Sequence, residues 1–76
     1  LSSTYVGYEI VPDLAASIHE YCVRRKIEDG WTYGVEFDSE NKMDPNLLPY
    51  EELSEKEKSI NVEAAKEAVK VMMKLR

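Results

Sequence analysis

Residues 30–34 read Gly-Trp-Thr-Tyr-Gly, and no regular helix continues through them. The segment holds the single Trp of the chain and two of its three Gly residues. Gly30 ends whatever helix precedes it, and Gly34 lets the chain turn after it. Trp31 and Tyr33 stand at i and i+2, so in an extended segment they share a face. Two flat rings between two hinges make either a core anchor or a stacking platform. Small domains need large aromatic anchors, and on the residues alone the anchor is the stronger reading.

The hinge divides the chain into two helical ends and an irregular middle. Residues 1–11, with Tyr5, Val6, Tyr8, Ile10 and Val11, read as an extended apolar arm packed on the body. Pro12-Asp13 opens a helix over 12–29, with Pro in its first turn and an acid beside it. Leu14, Ile18, Tyr21 or Cys22, and Ile27 give an approximate helical stripe. Residues 30–60 form a structured loop. In it Asp38-Ser39-Glu40-Asn41-Lys42 and Asp44-Pro45-Asn46 are turn chemistry. Trp31-Thr32-Tyr33 reads as a short strand that Val35-Glu36-Phe37 can continue after Gly34, and the loop has room for a minor β-hairpin. Ser54 and Glu57 have capping-box spacing, which predicts a short helix over 55–59. Asn61 is a good N-cap for a final helix over 61–76. There Val62, Ala65, Val69, Met72 and Met73 fall on one face. Two amphipathic helices joined by a long connection most simply pack antiparallel, so the expected class is mainly α.

With 76 residues the chain allows one small domain, marginally stable alone. Its single Cys22 gives no disulfide staple and points to a reducing compartment or a simple buried thiol, and the expected location is cytoplasmic. No apolar run of about 18 residues exists to span a membrane, and the N-terminus lacks a signal-peptide pattern. A start at Leu1 reads as a cut-out or processed piece. The net charge is −5, with eight acids and two lysines between Glu36 and Glu57. That balance argues against a nucleic-acid polymer as partner, because phosphate neutralisation needs a basic face. Arg24-Arg25-Lys26 is the one basic run. It suits a solvated helix C-terminus, or a local anion site.

Catalytic and metal chemistry find little here. His19 and Cys22 share a helix face, yet zinc needs further ligands and the chain has no second His or Cys. A nucleophilic pair would need an orienting acid, and Glu20 is off that face. A His bonded to a backbone group near the loop is the expected role. Asp38, Glu40 and Asp44 imitate spaced calcium ligands, but the Gly at the sixth position and the Glu at the twelfth are missing. No nucleophile elbow or phosphate-binding Gly-rich loop is present. The reading is no enzyme, no cofactor and no metal.

The order His19-Glu20, Ile27, Gly30-Trp31-Thr32-Tyr33-Gly34, Asp38, Lys42, Pro45, Leu47, Pro49-Tyr50, Glu51-Glu52-Leu53 and Glu57-Lys58, then an Ala-rich helix ending in Lys70, resembles the RyR domain. This repeat is named after the ryanodine receptor channels and also occurs in bacterial and phage proteins. The likeness runs without gaps from about residue 14 to residue 73. It implies a helical pair with a long loop, a single-repeat prokaryotic or phage member, and no enzymatic activity. It also implies a module suspected of sensing a small planar or anionic ligand such as a nucleotide, with a tandem repeat copy or a homodimer as partner. Ligand contacts then fall to Trp31, Tyr33, Lys26, Arg25 and His19. The chain departs from the family at Cys22, where Trp is usual, and at Lys26, where Arg is frequent. It departs again at Phe37-Asp38-Ser39, Asp44 and Asn61. Cys22 removes one wall of an aromatic sandwich, and Lys26 does not reproduce the bidentate fork of Arg. The alternative function is a structural module that homodimerises or docks on a larger assembly. Its interface would be the arm Tyr5–Val11 and the Met72-Met73 edge.

Overall fold

The computed structural model describes residues 8–75. Helix α1 spans Val11–Glu28 and helix α2 spans Glu55–Lys74. Between them lie β1 (Thr32–Tyr33), β2 (Met43–Asp44) and a single 3-10 turn (Tyr50–Glu52). The molecule is therefore two packed helices with a structured loop and a minor two-stranded sheet.

α1 begins without a side-chain cap, with Pro12 in its first turn and Asp13 beside it. Both choices suit the N-terminal end, where Pro loses no hydrogen bond and an acid meets the dipole. At the other end Asp29 is the C-cap and Gly30 has φ +93°. The Gly30 N–H donates to Ile27 O at 3.0 Å and the Trp31 N–H to Lys26 O at 2.9 Å. This pair of bonds is the Schellman arrangement, which requires a left-handed residue after the cap. The helix thus ends where the sequence places its hinge, and Trp31 is fixed as the first residue beyond it.

α2 differs from expectation. The short helix over 55–59 and the helix from Asn61 are one continuous element. Ser54 is its N-cap, accepting the Glu57 N–H at 3.2 Å. Asn61 is an interior residue whose Nδ2 donates to Glu57 O at 3.0 Å. A good capping residue need not cap when an earlier cap is already in place and no breaker separates the two.

Val11 and Ala15 of α1 form a buried cluster with Ala65 and Val69 of α2. Tyr8, Leu14, Ile18, Tyr50, Val62 and Met73 pack around it. Cys22 and Lys26, late in α1, share a crevice with Glu57 and Asn61, early in α2. The helices accordingly run antiparallel. Ala15 and Ala65 are fully buried, and such small residues let the two backbones approach closely. The buried line of α1 is Val11, Ala15 and His19. Tyr21, Cys22 and Ile27, expected in the stripe, are exposed. Of the arm expected over 1–11, residues 1–7 lie outside the described residues. Val11 is already helical and buried, not extended.

The loop is held by few bonds. β1 and β2 pair in parallel, Thr32 with Met43 and Tyr33 with Asp44. The antiparallel element is a single bridge, Asp38 with Met43, which closes the acidic turn. The minor sheet is thus a parallel pair, with the hairpin reduced to that bridge. In the turn, the Asp38 carboxylate accepts the Asn41 Nδ2 at 2.7 Å. It also accepts the Glu40 and Asn41 N–H groups at 3.1 and 3.2 Å. Lys42 sits at φ 55° and its Nζ donates to Asp29 O at 2.7 Å, tying the turn to the end of α1. Gly34 serves close approach. A Cβ there would stand 2.7 Å from Met43 Cβ and 2.9 Å from Met43 Cε.

Candidate functional site

The best-defined polar cluster forms where the end of α1 meets the loop. Lys26 leaves the last turn of α1 half-buried, with its Nζ bonded to the Asp44 carboxylate on β2. The same ammonium lies 4.6 Å from the centre of the Trp31 ring and 5.7 Å from that of Phe37. Trp31 and Phe37 meet at 5.6 Å between centroids with a 34° tilt. One cation therefore touches two aromatic faces and a carboxylate, each attractive to it.

Asp44 is 6 % exposed, and its carboxyl lies below its usual range. Burial pushes it up. The Lys26 ammonium and the Asn46 N–H, which bonds Asp44 Oδ1 at 2.8 Å, outweigh burial, with a smaller contribution from His19. Asp44 is therefore ionised at neutral pH. Among the described residues no buried side-chain nitrogen or oxygen lacks a partner.

Arg25 points to the outer side. Its Nη1 donates to the Tyr21 hydroxyl at 2.9 Å, and its guanidinium carbon lies 5.8 Å from the Tyr21 ring centre. Arg25, Lys26, Glu28, Asp29 and Trp31 line an open groove of about 440 Å³. Three of the five sequence-predicted site residues thus share one surface. Tyr33 does not join them. It is exposed on β1, and among the described residues Trp31 makes its ring contact with Phe37.

His19 also stands apart. Its ring is buried, its Nε2 is 2.6 Å from Leu48 O, and Tyr50 packs beside it at 6.2 Å. A carbonyl can only accept, so Nε2 carries the proton. The contact fastens the loop to α1, the backbone role expected for this residue. Cys22, one turn away, is an exposed free thiol. Among the described residues no group of three His, Cys, Asp or Glu side chains could hold a metal ion. No helix among them is long and apolar enough to cross a membrane.

Phe37 and Asp44 escaped the sequence reading. Phe37 stands six positions after Trp31 and returns to it because the chain bends after Gly34. A strand drawn straight through Val35–Phe37 hides that return. Asp44 looks like one more acid in an acidic loop until the parallel pairing of β2 brings it beneath Lys26.

Two packed helices and a loop-borne cluster of cation, rings and carboxylate define a small, mainly helical domain. The family model for the RyR domain matches residues 6–76, and the chain belongs to that family.

Proposed function

We propose that the chain is a non-enzymatic RyR-type binding module whose ligand surface is the groove lined by Arg25, Lys26 and Trp31, with Phe37 backing the indole. The observation that supports it is the indole of Trp31. It is half-buried, pinned by Lys26 and Phe37, and open to the groove on the Arg25 side. A planar heterocycle stacking there gains ring contact at little ordering cost, since the platform is already held. The ligand class is planar and of low charge, such as a nucleobase, nucleoside or cyclic nucleotide. Three facts limit the charge: Asp44 already neutralises Lys26, Glu28 and Asp29 stand on the rim, and a helix C-terminus carries negative partial charge. Arg25 is then the anion contact, and Lys26 orients the indole. His19 and Tyr33 lie outside this surface.

Titration of Trp31 fluorescence with adenine, guanine and cyclic nucleotides tests the reading. We expect a saturable change, weakened several-fold in Arg25→Ala, with triphosphates binding less well than cyclic monophosphates. A flat response across the panel rejects it.

A second reading, an interaction module, is supported by exposed large apolar side chains. Val35 is 84 % and Leu75 81 % exposed, with Phe37, Ile27 and Val71 above half. The interface expected at Tyr5–Val11 and Met72-Met73 changes in this reading. Val11 and Met73 pack in the chain's own core, Met72 is exposed, and residues 5–7 lie outside the described residues.

A further inference from the structure

A second groove lies on the other side of α1. Val23 and Ile27 form one wall, and Leu47, Leu48 and Pro49 form the other, enclosing about 430 Å³. His19 stands at its base with its Nε2 already committed to Leu48 O, so the lining is almost wholly apolar. Glu20, Arg24 and Glu28 stand along its rim, a net negative edge. Ile27 is 59 % exposed there although it is a large aliphatic residue.

The last turns of α2 present the opposite surface. Val71, Met72 and Leu75 are exposed, and their i,i+3 and i,i+4 spacing makes them one contiguous apolar knob. Lys70 and Lys74 flank it. The knob and the groove cannot meet within one chain. The knob adjoins the Val11 end of α1, the groove occupies the half of α1 after His19, and the molecule extends 48 Å along its long axis.

We propose that the groove of one copy receives the Val71–Leu75 knob of a second copy, in a head-to-tail contact. The proposal develops the interaction reading above. Convex apolar residues fill a concave apolar site, while Lys70 and Lys74 meet Glu20 and Glu28. The volume suits a few aliphatic side chains, and the lysines and glutamates are opposite in charge across the contact. Because the two surfaces differ, the contact is heterologous. Each copy keeps an unused groove at one end and an unused knob at the other, and association continues beyond a dimer.

Sedimentation or light scattering of the whole chain up to about 1 mM, a range suited to a small weak interface, provides the test. The wild type should gain mass with concentration beyond two copies. Ile27→Glu, which spoils the groove, and Leu75→Glu, which spoils the knob, should each be monomeric. Both positions are exposed, so circular dichroism should remain wild-type. Mixed, the two variants should form a one-to-one complex and stop there, because one retains a knob and the other a groove. A strictly monomeric wild type overturns the proposal. Self-association that both variants leave intact overturns this pairing while the interaction reading stands. A mixture that fails to associate, with both variants folded and the wild type associating, also overturns it.

Discussion

At Lys26 one ammonium serves a carboxylate and two rings, and the balance of these contacts decides what the residue can still do. Its charge is matched by Asp44, so it stiffens the site and has no unpaired charge to offer an anion; in the proposed binding module that contact falls to Arg25. The pair is partly screened, since the Lys26 side chain is 38 % exposed. Asp44 is the buried partner, and its carboxyl is lowered relative to the unfolded chain. A lowered carboxyl stabilises the fold above its unfolded value, near pH 4, and loses that contribution as pH falls through the folded value. Thermal melts between pH 7 and pH 2 should show this acid loss in the wild type and a flatter profile in Asp44→Asn. At pH 7 the same variant should be less stable by about 1–2 kcal/mol, the cost of weakening a charge-assisted bond on a buried group. An unchanged acid limb would mean that Asp44 carries no such linkage. Gly34 makes a second residue-scale demand. Gly34→Ala forces a methyl against Met43 Cβ, close to backbone, and should cost about 1–3 kcal/mol in urea unfolding. Gly30→Ala should cost about 1–2 kcal/mol for a different reason, its positive φ. Of these roles, only the Gly30 stop was legible in the sequence. The need for Gly34 depends on how closely β1 and β2 approach, which no local pattern encodes.

Among the elements, helix ends follow local chemistry most closely. The end of α1 was readable because Gly30 with a basic last turn is a self-contained signal. The start of α2 was readable only in part. Ser54 with Glu57 and Asn61 each look like a beginning, and the sequence does not say that the first helix runs into the second. Substitutions separate the roles. Ser54→Ala should cost about 1 kcal/mol, as for a working N-cap. Asn61→Ala should be near neutral, because an interior position gains helix propensity as it loses one bond to Glu57 O. Chemical denaturation of the two variants checks this, and a reversal of the two effects would place the cap at Asn61. The loop was the least legible element. Its parallel pairing joins residues about eleven apart through a two-residue register, which leaves no periodicity to detect. The meeting of Trp31 with Phe37 and of Lys26 with Asp44 follows from that register. Hence Lys26, Arg25 and Trp31 could be named in advance as neighbours, while their true partners could not.

On the scale of the whole molecule, the core is narrow. Val11, Ala15, Leu53, Ala65 and Val69 are its buried apolar residues among those described, and two of the five are alanines. With so little buried apolar volume among the described residues, each core contact counts. The same economy sharpens the question first raised by the glycine-bounded rings. If Trp31 anchors the core, the fold depends on it. If it is a surface platform, the helices stand without it, because the buried cluster joins α1 to α2 directly and excludes the indole. The proposed binding surface requires the second alternative, and urea unfolding of Trp31→Ala, followed by far-ultraviolet circular dichroism, decides it. The variant should remain helical at 25 °C and unfold cooperatively, with a loss of about 1–2 kcal/mol, below the 3–5 kcal/mol typical of a fully buried aromatic. Loss of helix in water, or a cost at the upper end of that range, would make Trp31 a structural anchor and contradict the binding surface assigned to it.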